Sequence, residues 1–163
     1  MIAIVSPSPC ASGERVGVRG RPGLTLLVLL LSACEPEPNF PADYARSYLE
    51  VRNCRPSAEH DSHFIRILAS PEAVAPYRSR DGGFPAGAII LKEERDFGDT
   101  TCTGPILQWT VMKAQADGGI NGWHWQAVSP ERRVLTTNEP KCTACHATCG
   151  LPPDGYAGTC AVP

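Results

Sequence analysis

Two cysteines and a histidine near the C-terminus form the pattern with the most specific chemistry in the sequence. Cys142 and Cys145 are separated by two residues, and His146 follows Cys145 directly. Thiols at this spacing can form thioether bonds to the two vinyl groups of a porphyrin, and the adjacent imidazole can then bind its iron. The segment therefore predicts a covalently attached haem c, with Cys142 and Cys145 holding the cofactor and His146 as the iron ligand.

Two other kinds of site use a cysteine pair at this spacing. A structural zinc site commonly combines such a pair with a second one, and a redox dithiol lies in a thioredoxin-like strand and helix. The sequence has no second cysteine pair with two intervening residues and no strand-helix pattern of that kind around this one. A disulfide-rich, zinc-binding lipoprotein is therefore a third interpretation, behind the two haem functions described below.

Haem attachment of this kind takes place outside the bacterial cytoplasm, and the N-terminus has the pattern of an export signal. Arg15, Arg19 and Arg21 precede an apolar run over residues 24–31, and small residues lead to Cys34. A positive segment, a short apolar segment and a small-residue cleavage site are typical of a signal peptide. The apolar run is too short for a permanent membrane-spanning helix.

The sequence Leu31-Ser32-Ala33-Cys34 also resembles a bacterial lipobox, in which the cysteine is lipidated and becomes the first residue. This predicts a lipoprotein-type signal peptide over residues 1–33, a tether over 34–40 and a haem domain over 41–163. A lipid anchor at Cys34 would hold the protein at a membrane, in the periplasm or on the outer face of the cell envelope. The alternative is a plain cleaved signal with Cys34 as an ordinary thiol.

The composition favours a small, turn-rich domain in an oxidising compartment. The 163 residues include 8 cysteines, 16 prolines and 15 glycines, and the formal net charge is −2. So many thiols are unusual in a reducing cytosol. Prolines and glycines at this frequency favour turns and short elements over a helical bundle. The arginines that lack nearby acids lie in the leader, so no nucleic-acid-binding surface is indicated.

The periodicity of apolar residues predicts an α+β, mainly β fold. Alternation predicts strands, and a spacing of three or four residues predicts helices. Ser70, Pro71 and Glu72 are typical of a helix start. The predicted elements are a helix over 41–52, a strand over 62–69, a helix over 71–78, and strands over 88–93, 106–114 and 123–128. Successive strands joined by turns predict an antiparallel sheet with two short helices packed against it, followed by the C-terminal haem segment.

Four cysteines remain when the haem thiols, Cys34 and Cys10 in the leader are set aside. They are Cys54, Cys102, Cys149 and Cys160, and four cysteines permit three pairings. Joining Cys149 to Cys160 would close a small loop just after the haem ligand, which leaves Cys54 with Cys102. The sequence leaves the pairing open.

Four motifs in order resemble the cytochrome P-460 family, which includes the cytochromes called c′-beta. They are residues 84–93, which begin Phe84-Pro85-Ala86-Gly87, then 110–113, then Gly122-Trp123-His124-Trp125, and then the haem motif. The resemblance implies a mainly antiparallel β fold, a homodimer and a five-coordinate haem whose second axial face is open. It also implies a small hydroxylamine or nitrogen-oxide ligand and a redox partner protein.

The resemblance implies either of two functions. One is an enzyme that oxidises hydroxylamine, nitric oxide or both; the other is a non-catalytic cytochrome of the c′-beta type that binds nitric oxide or carries electrons. In hydroxylamine-oxidising members a lysine is joined to the porphyrin, and Lys92 matches it. Catalytic members also have a carboxylate above the iron that accepts protons from the substrate. His124 is the candidate for a distal group in this chain, and Glu93 and Glu94 are nearby in sequence only. The alternatives are an ordinary strand lysine at Lys92 and a solvated or hydrogen-bonded bystander at His124.

Three other side chains could approach the second axial position of the iron, which methionine or histidine fills in most electron-transfer cytochromes. Met112 lies in the middle of a predicted strand, which favours a place in the core. His60 and His63 precede a predicted strand, and their loop position favours exposure to solvent.

Overall fold

The computed structural model describes residues 35–116, 122–150 and 155–163. Residues 36–163 form a compact unit that contains every described helix and strand. The predicted signal peptide and the predicted lipid site at Cys34 lie outside the described residues. None of the helices in the described ranges has the length and apolar character needed to cross a bilayer.

Six antiparallel strands form one sheet, in which each strand pairs with its neighbours in the chain. This confirms the predicted antiparallel sheet, since short connections favour antiparallel neighbours. The strands are β1 (Leu49–Pro56), β2 (Phe64–Ala69), β3 (Ile89–Arg95), β4 (Gln108–Ala114), β5 (Trp123–Val128) and β6 (Val134–Thr137). The four strands from β2 to β5 were each predicted from alternation.

Two short α-helices accompany the sheet, α1 (Pro71–Ser79) and α2 (Pro140–His146). Helix α1 confirms the prediction made from Pro71 at the first helical position. The Ser70 hydroxyl does not cap the helix through a backbone amide; it donates to Glu72 and accepts from the backbone amide of Ile89. Ser70 thereby joins the start of α1 to the start of β3. Helix α2 contains the haem motif and was not predicted as a helix.

The predicted helix over 41–52 is wrong. Its residues form a short 3-10 helix, Tyr44–Arg46, and then enter β1 at Leu49. The backbone amide of Tyr48 donates to the Tyr44 carbonyl at 2.8 Å, so a single turn is enough to bury both tyrosines on one side. Leu49 is 52% exposed. Pairing with β2 therefore outweighs the helical spacing of these aromatic residues.

Each face of the sheet covers its own core. The first face carries Ile67, Ile90 and Met112, and the second face carries Leu91 and Val111. These sides agree with the period-two assignments predicted for β3 and β4. Helix α1 packs on the first face through Ala73 and Tyr77, and Cys142 of α2 packs against the same core. The second face is covered by the aromatic residues of the segment before β1, which are Phe40, Tyr44 and Tyr48.

One row of side chains on the first face is important for the site. Cross-strand pairing aligns Arg52 of β1 with Ile67 of β2, Ile67 with Lys92 of β3, and Lys92 with Thr110 of β4. Residues paired in this way point to the same side of a sheet. Two cationic side chains, Arg52 and Lys92, therefore lie on the face that α2 covers.

Two disulfides join Cys54 to Cys102 and Cys149 to Cys160. Of the three possible pairings, this is the one in which Cys149 and Cys160 close a small loop after the haem motif. The first ties β1 to the loop between β3 and β4, and the second closes the chain just after α2. Cys142 and Cys145 are free thiols.

Candidate functional site

Helix α2 brings the two free thiols and the histidine together. Cys142, Cys145 and His146 are related as positions i, i+3 and i+4, which share one side of an α-helix. Pro140 starts the helix, where its fixed φ is compatible and its missing amide hydrogen is not needed. Cys142 is partly buried and Cys145 is exposed, whereas His146 is 6% exposed. The helix therefore presents two accessible sulfurs beside a buried imidazole.

A hydrogen bond fixes the orientation of the His146 ring. Its Nδ1 lies 2.6 Å from the carbonyl oxygen of Gly158, so Nδ1 carries hydrogen and donates, which leaves a lone pair on Nε2. The ring also packs on Trp125 with 4.5 Å between centroids. Burial, helped by the charge of Lys92, lowers the pKa of His146 to about 4. A neutral imidazole oriented by a backbone carbonyl is the form that binds a metal ion.

Two cavities adjoin His146, one of about 370 Å³ and one of about 520 Å³. Both are bordered by Cys145, His146, Glu59 and His60. The smaller is also lined by Arg52, Lys92 and the Cys149–Cys160 disulfide, and the larger by Glu94, Gln108, Thr110, Leu135 and Cys142. The space around the motif is therefore enclosed by α2, the first face of the sheet and the 3-10 helix Ala58–His60.

The structure places Lys92 in the smaller cavity, on the predicted side of β3. Its Nζ lies 2.9 Å from Nε2 of His60. Burial lowers the pKa of Lys92 to about 8, against the opposing effect of the nearby Glu94 carboxylate. The unprotonated amine, which is the nucleophilic form, is therefore more abundant near neutral pH than in an ordinary lysine.

A buried carboxylate, Glu94, lies beside Lys92, although His124 was predicted as the distal group and Glu94 was considered near in sequence only. Glu94 is 1% exposed, and its two oxygens contact four side chains: His60 Nδ1 at 3.0 Å, His63 Nδ1 at 3.2 Å, Gln108 Nε2 at 2.7 Å and Thr110 Oγ1 at 2.9 Å. Burial by itself raises the pKa of Glu94, but the hydrogen bonds from His60, Gln108 and His63 outweigh it and lower the pKa to about 2. Glu94 is therefore ionised.

The sequence did contain a signal for Glu94. Residues 94–105 were predicted as a loop, whereas β3 continues to Arg95. Extending the alternation by one step places Glu94 on the same side as Lys92, opposite Gln108 on β4. The expectation that His60 and His63 are exposed is also wrong, since both side chains are 21% exposed and contact this carboxylate.

The structure does not bring His124 to this cluster. His124 Nδ1 lies 2.7 Å from the side-chain nitrogen of Asn39, and the side chain points to the second face because its neighbours Trp123 and Trp125 belong to the first. It borders neither cavity. Met112 is 2% exposed and lies in the core of the first face, in agreement with the predicted core position.

The residues present fit a covalently bound haem. Two free thiols and a neutral imidazole supply the attachment points and an iron ligand. Arg52, which lines the smaller cavity, has a buried Nε with no hydrogen-bond partner. Such a group suits a propionate carboxylate of a haem. Among residues 35–116, 122–150 and 155–163, no three His, Cys, Asp or Glu side chains are grouped to hold a separate metal ion.

Among known protein families, the family model described as Cytochrome P460 matches residues 41–150, a range that runs from the 3-10 helix before β1 through the end of α2. No curated protein matches the chain. The matched range contains Lys92, Glu94, both free thiols and His146.

Proposed function

Since this chain belongs to the cytochrome P460 family, which indicates a haem protein, we propose that it is an exported c-type cytochrome that oxidises hydroxylamine, nitric oxide or both. The observation that carries the proposal is the geometry of His146. Its buried ring has Nδ1 held by Gly158 and Nε2 free, beside the two unpaired thiols of α2. In the proposal, Cys142 and Cys145 bind haem c covalently and His146 is its only protein ligand.

A five-coordinate haem iron, when bound, supplies an electron acceptor and an open position for a small nitrogen ligand. The described residues support the open position in one respect. Met112, the methionine of the described ranges, is held in the core of the first face between its strand neighbours. It is therefore committed to packing and is not a free sixth ligand.

Hydroxylamine loses protons as it loses electrons, so a nearby proton acceptor is required. We propose His60 for this role. Glu94 accepts a hydrogen bond from Nδ1 of His60, which leaves Nε2 as the basic nitrogen, and this atom faces Lys92 Nζ at 2.9 Å. Glu94 orients the ring through this hydrogen bond, as a carboxylate does in other acid–base pairs. His60 thus replaces His124 as the candidate proton acceptor.

Lys92 is proposed to form the covalent bond to the porphyrin that the resemblance implies. Its position in the cavity and its lowered pKa support this, since the neutral amine is the reactive form. The new bond joins the amine nitrogen to a porphyrin carbon and removes one hydrogen from each. The two electrons and two protons released require an oxidant such as a peroxide, which is reduced to water.

A second candidate function is a non-catalytic cytochrome of the c′-beta type that binds nitric oxide or carries electrons. It is favoured by the saturation of Glu94, which accepts hydrogen bonds from four side chains and has a pKa of about 2. A carboxylate in that state is a poor proton acceptor. Turnover therefore depends on His60, and without its participation the site would only bind a ligand.

We further propose that the protein is anchored by lipid at Cys34, in the periplasm or on the outer face of the envelope. There it would act as a homodimer that passes electrons to a redox partner protein. The support is the leader pattern in the sequence and, for the dimer, the family resemblance.

Hydroxylamine turnover with an artificial electron acceptor tests the enzyme proposal. Protein matured with its haem should oxidise hydroxylamine, and H60Q should lose roughly 100-fold or more in kcat, since a positioned base contributes about 10²–10⁴-fold. H124Q is the matched control, because it makes the same chemical change on the second face, and it should retain activity. Equal activity in the wild type and H60Q, or loss confined to H124Q, would contradict the assignment of His60. A loaded wild type without turnover would favour the carrier function.

A further inference from the structure

Arg52 is a half-buried cation on the first face that nothing in the proposed reaction uses. Its Nε has no hydrogen-bond partner, although the atom is inaccessible to water. A buried polar group that is left unpaired is costly, and a buried charge is more so. Burial accordingly lowers the pKa of Arg52. The side chain is therefore incompletely satisfied by the protein itself.

Among the described residues no carboxylate forms an ion pair with Arg52, although Glu59 borders the same cavity. Arg52 and Lys92 lie in the same cross-strand row, separated by Ile67, and both line the smaller cavity. Glu94, the nearest carboxylate to this row on β3, is already held by the two histidines, Gln108 and Thr110. Lys92 has a partner in His60. Arg52 is thus the cation of this row that lacks an anion.

Arg55, three residues further along β1, is an arginine whose Nε has a hydrogen-bond partner. Its Nε donates to Asn53 Oδ1 at 2.7 Å, and its side chain is exposed. Arg52 and Arg55 therefore have the same chemistry on the same strand, but only Arg52 is turned toward the cavity beside Cys145 and His146.

We propose that Arg52 is an anion-binding residue that pairs with a carboxylate of the bound cofactor, one of the haem propionates. The inference rests on the proposed haem attachment at Cys142 and Cys145. The guanidinium supplies Nε and two further nitrogens in a planar fork, which matches the two oxygens of a carboxylate. This would satisfy the orphaned Nε and separate the positive charges of Arg52 and Lys92 by a negative one.

The test is the midpoint potential of the haem in Arg52 variants. Removing a cation near the iron favours the ferric state, so R52Q and R52M should lower the ratio of ferrous to ferric haem about tenfold at a given potential, a shift of about 59 mV downward. R52K keeps the charge and should restore at least half of that shift. R55Q is the control and should have the wild-type potential. Either neutral variant suffices if the other fails to fold.

The same measurement distinguishes a haem carboxylate from a dissolved anion as the partner of Arg52. It also separates failure of this assignment from failure of the proposed function. At constant ionic strength, adding phosphate should leave the wild-type potential unchanged, because the carboxylate belongs to the cofactor. A wild-type potential that falls with added anion, while R52Q does not respond, would show that Arg52 binds dissolved anions and would overturn the assignment. Potentials of R52Q and R52M equal to that of R55Q would overturn it as well. Absence of covalent haem in the intact mass of the wild type would instead refute the proposed function.

Discussion

The loop after α2 gives a sharp mutational test, because it holds the ring of His146. The Cys149–Cys160 disulfide closes a segment with a sequence separation of 11 residues, and Gly158 in that segment accepts the hydrogen bond from His146 Nδ1. The backbone amide of Gly158 in turn donates to the Cys149 carbonyl at 3.1 Å. Replacing both cysteines by alanine should loosen the segment and release the Gly158 carbonyl from the imidazole.

The Cys54–Cys102 disulfide supplies the control, because its removal should affect stability more and the His146 ring less. In the chain-entropy account, a loop closed over 11 residues contributes about 3 kcal/mol and one closed over 48 residues about 4 kcal/mol. C54A/C102A should therefore lower the free energy of unfolding more than C149A/C160A does. Because Cys54 and Cys102 lie away from α2, their removal should leave the surroundings of His146 unchanged.

The midpoint potential should respond in the reverse order. A hydrogen bond from Nδ1 makes an imidazole a stronger electron donor to iron, and such outer partners contribute roughly 10- to 100-fold in affinity or activity. A tenfold loss of preference for the ferric state corresponds to a rise of about 59 mV. C149A/C160A should therefore raise the potential by about 59 mV or more, whereas C54A/C102A should not.

Denaturant unfolding and a redox titration of the two double variants together check the reasoning. The expected pattern is a larger loss of stability in C54A/C102A and a larger rise in potential in C149A/C160A. If both properties change in the same order, the disulfide acts through global stability alone, and the role of the closed loop in holding His146 is refuted.

Three further predictions concern stability. The pKa of Glu94 is depressed in the folded protein. Its contribution of about 3 kcal/mol to the free energy of unfolding is therefore present above about pH 4.5 and lost as the pH falls toward 2. Unfolding curves of E94Q should lack this part of the acid dependence. E93Q should cost about 3–5 kcal/mol, measured in urea, because the buried Glu93 carboxylate pairs with Arg66 and Arg95 and accepts from Tyr44; E50Q, at an exposed strand position, should be nearly neutral. G155A should destabilise by about 1–3 kcal/mol, since Gly155 has φ +150° and an added Cβ would lie 2.6 Å from Cys149 Cβ; wild-type melting of G155A would contradict this.

The strands that could be predicted are those whose two faces both pack. From β2 to β5 each strand contributes side chains to two buried cores, so apolar residues are frequent along it and the strand is visible in the sequence. The edge strands were missed for different reasons. In β1 the aromatic spacing that precedes it resembles a helix, and the pairing with β2 contains register shifts. Strand β6 has only four residues, and most of them are exposed.

The site residues that were predicted are those whose chemistry requires a fixed spacing along the chain. Those that were not predicted are brought into contact only by the fold. The motif at Cys142, Cys145 and His146 is local, and Lys92 followed from the family resemblance together with the alternation of β3. The contacts of Glu94 with His60 and His63 join residues separated by 34 and 31 positions. No pattern of neighbouring residues in the sequence predicts them. His124 lies between two tryptophans of the first face, so alternation itself directs it to the other side.

The most direct test of haem attachment is the mass of the tryptic fragment that begins after Lys141, taken from protein matured with its haem and then denatured. We expect the fragment containing Cys142 and Cys145 to retain one haem through denaturation, and the fragment from C142A/C145A to carry none. Haem that dissociates from the wild-type fragment on denaturation, or a fragment of unmodified mass, would contradict covalent attachment at these cysteines.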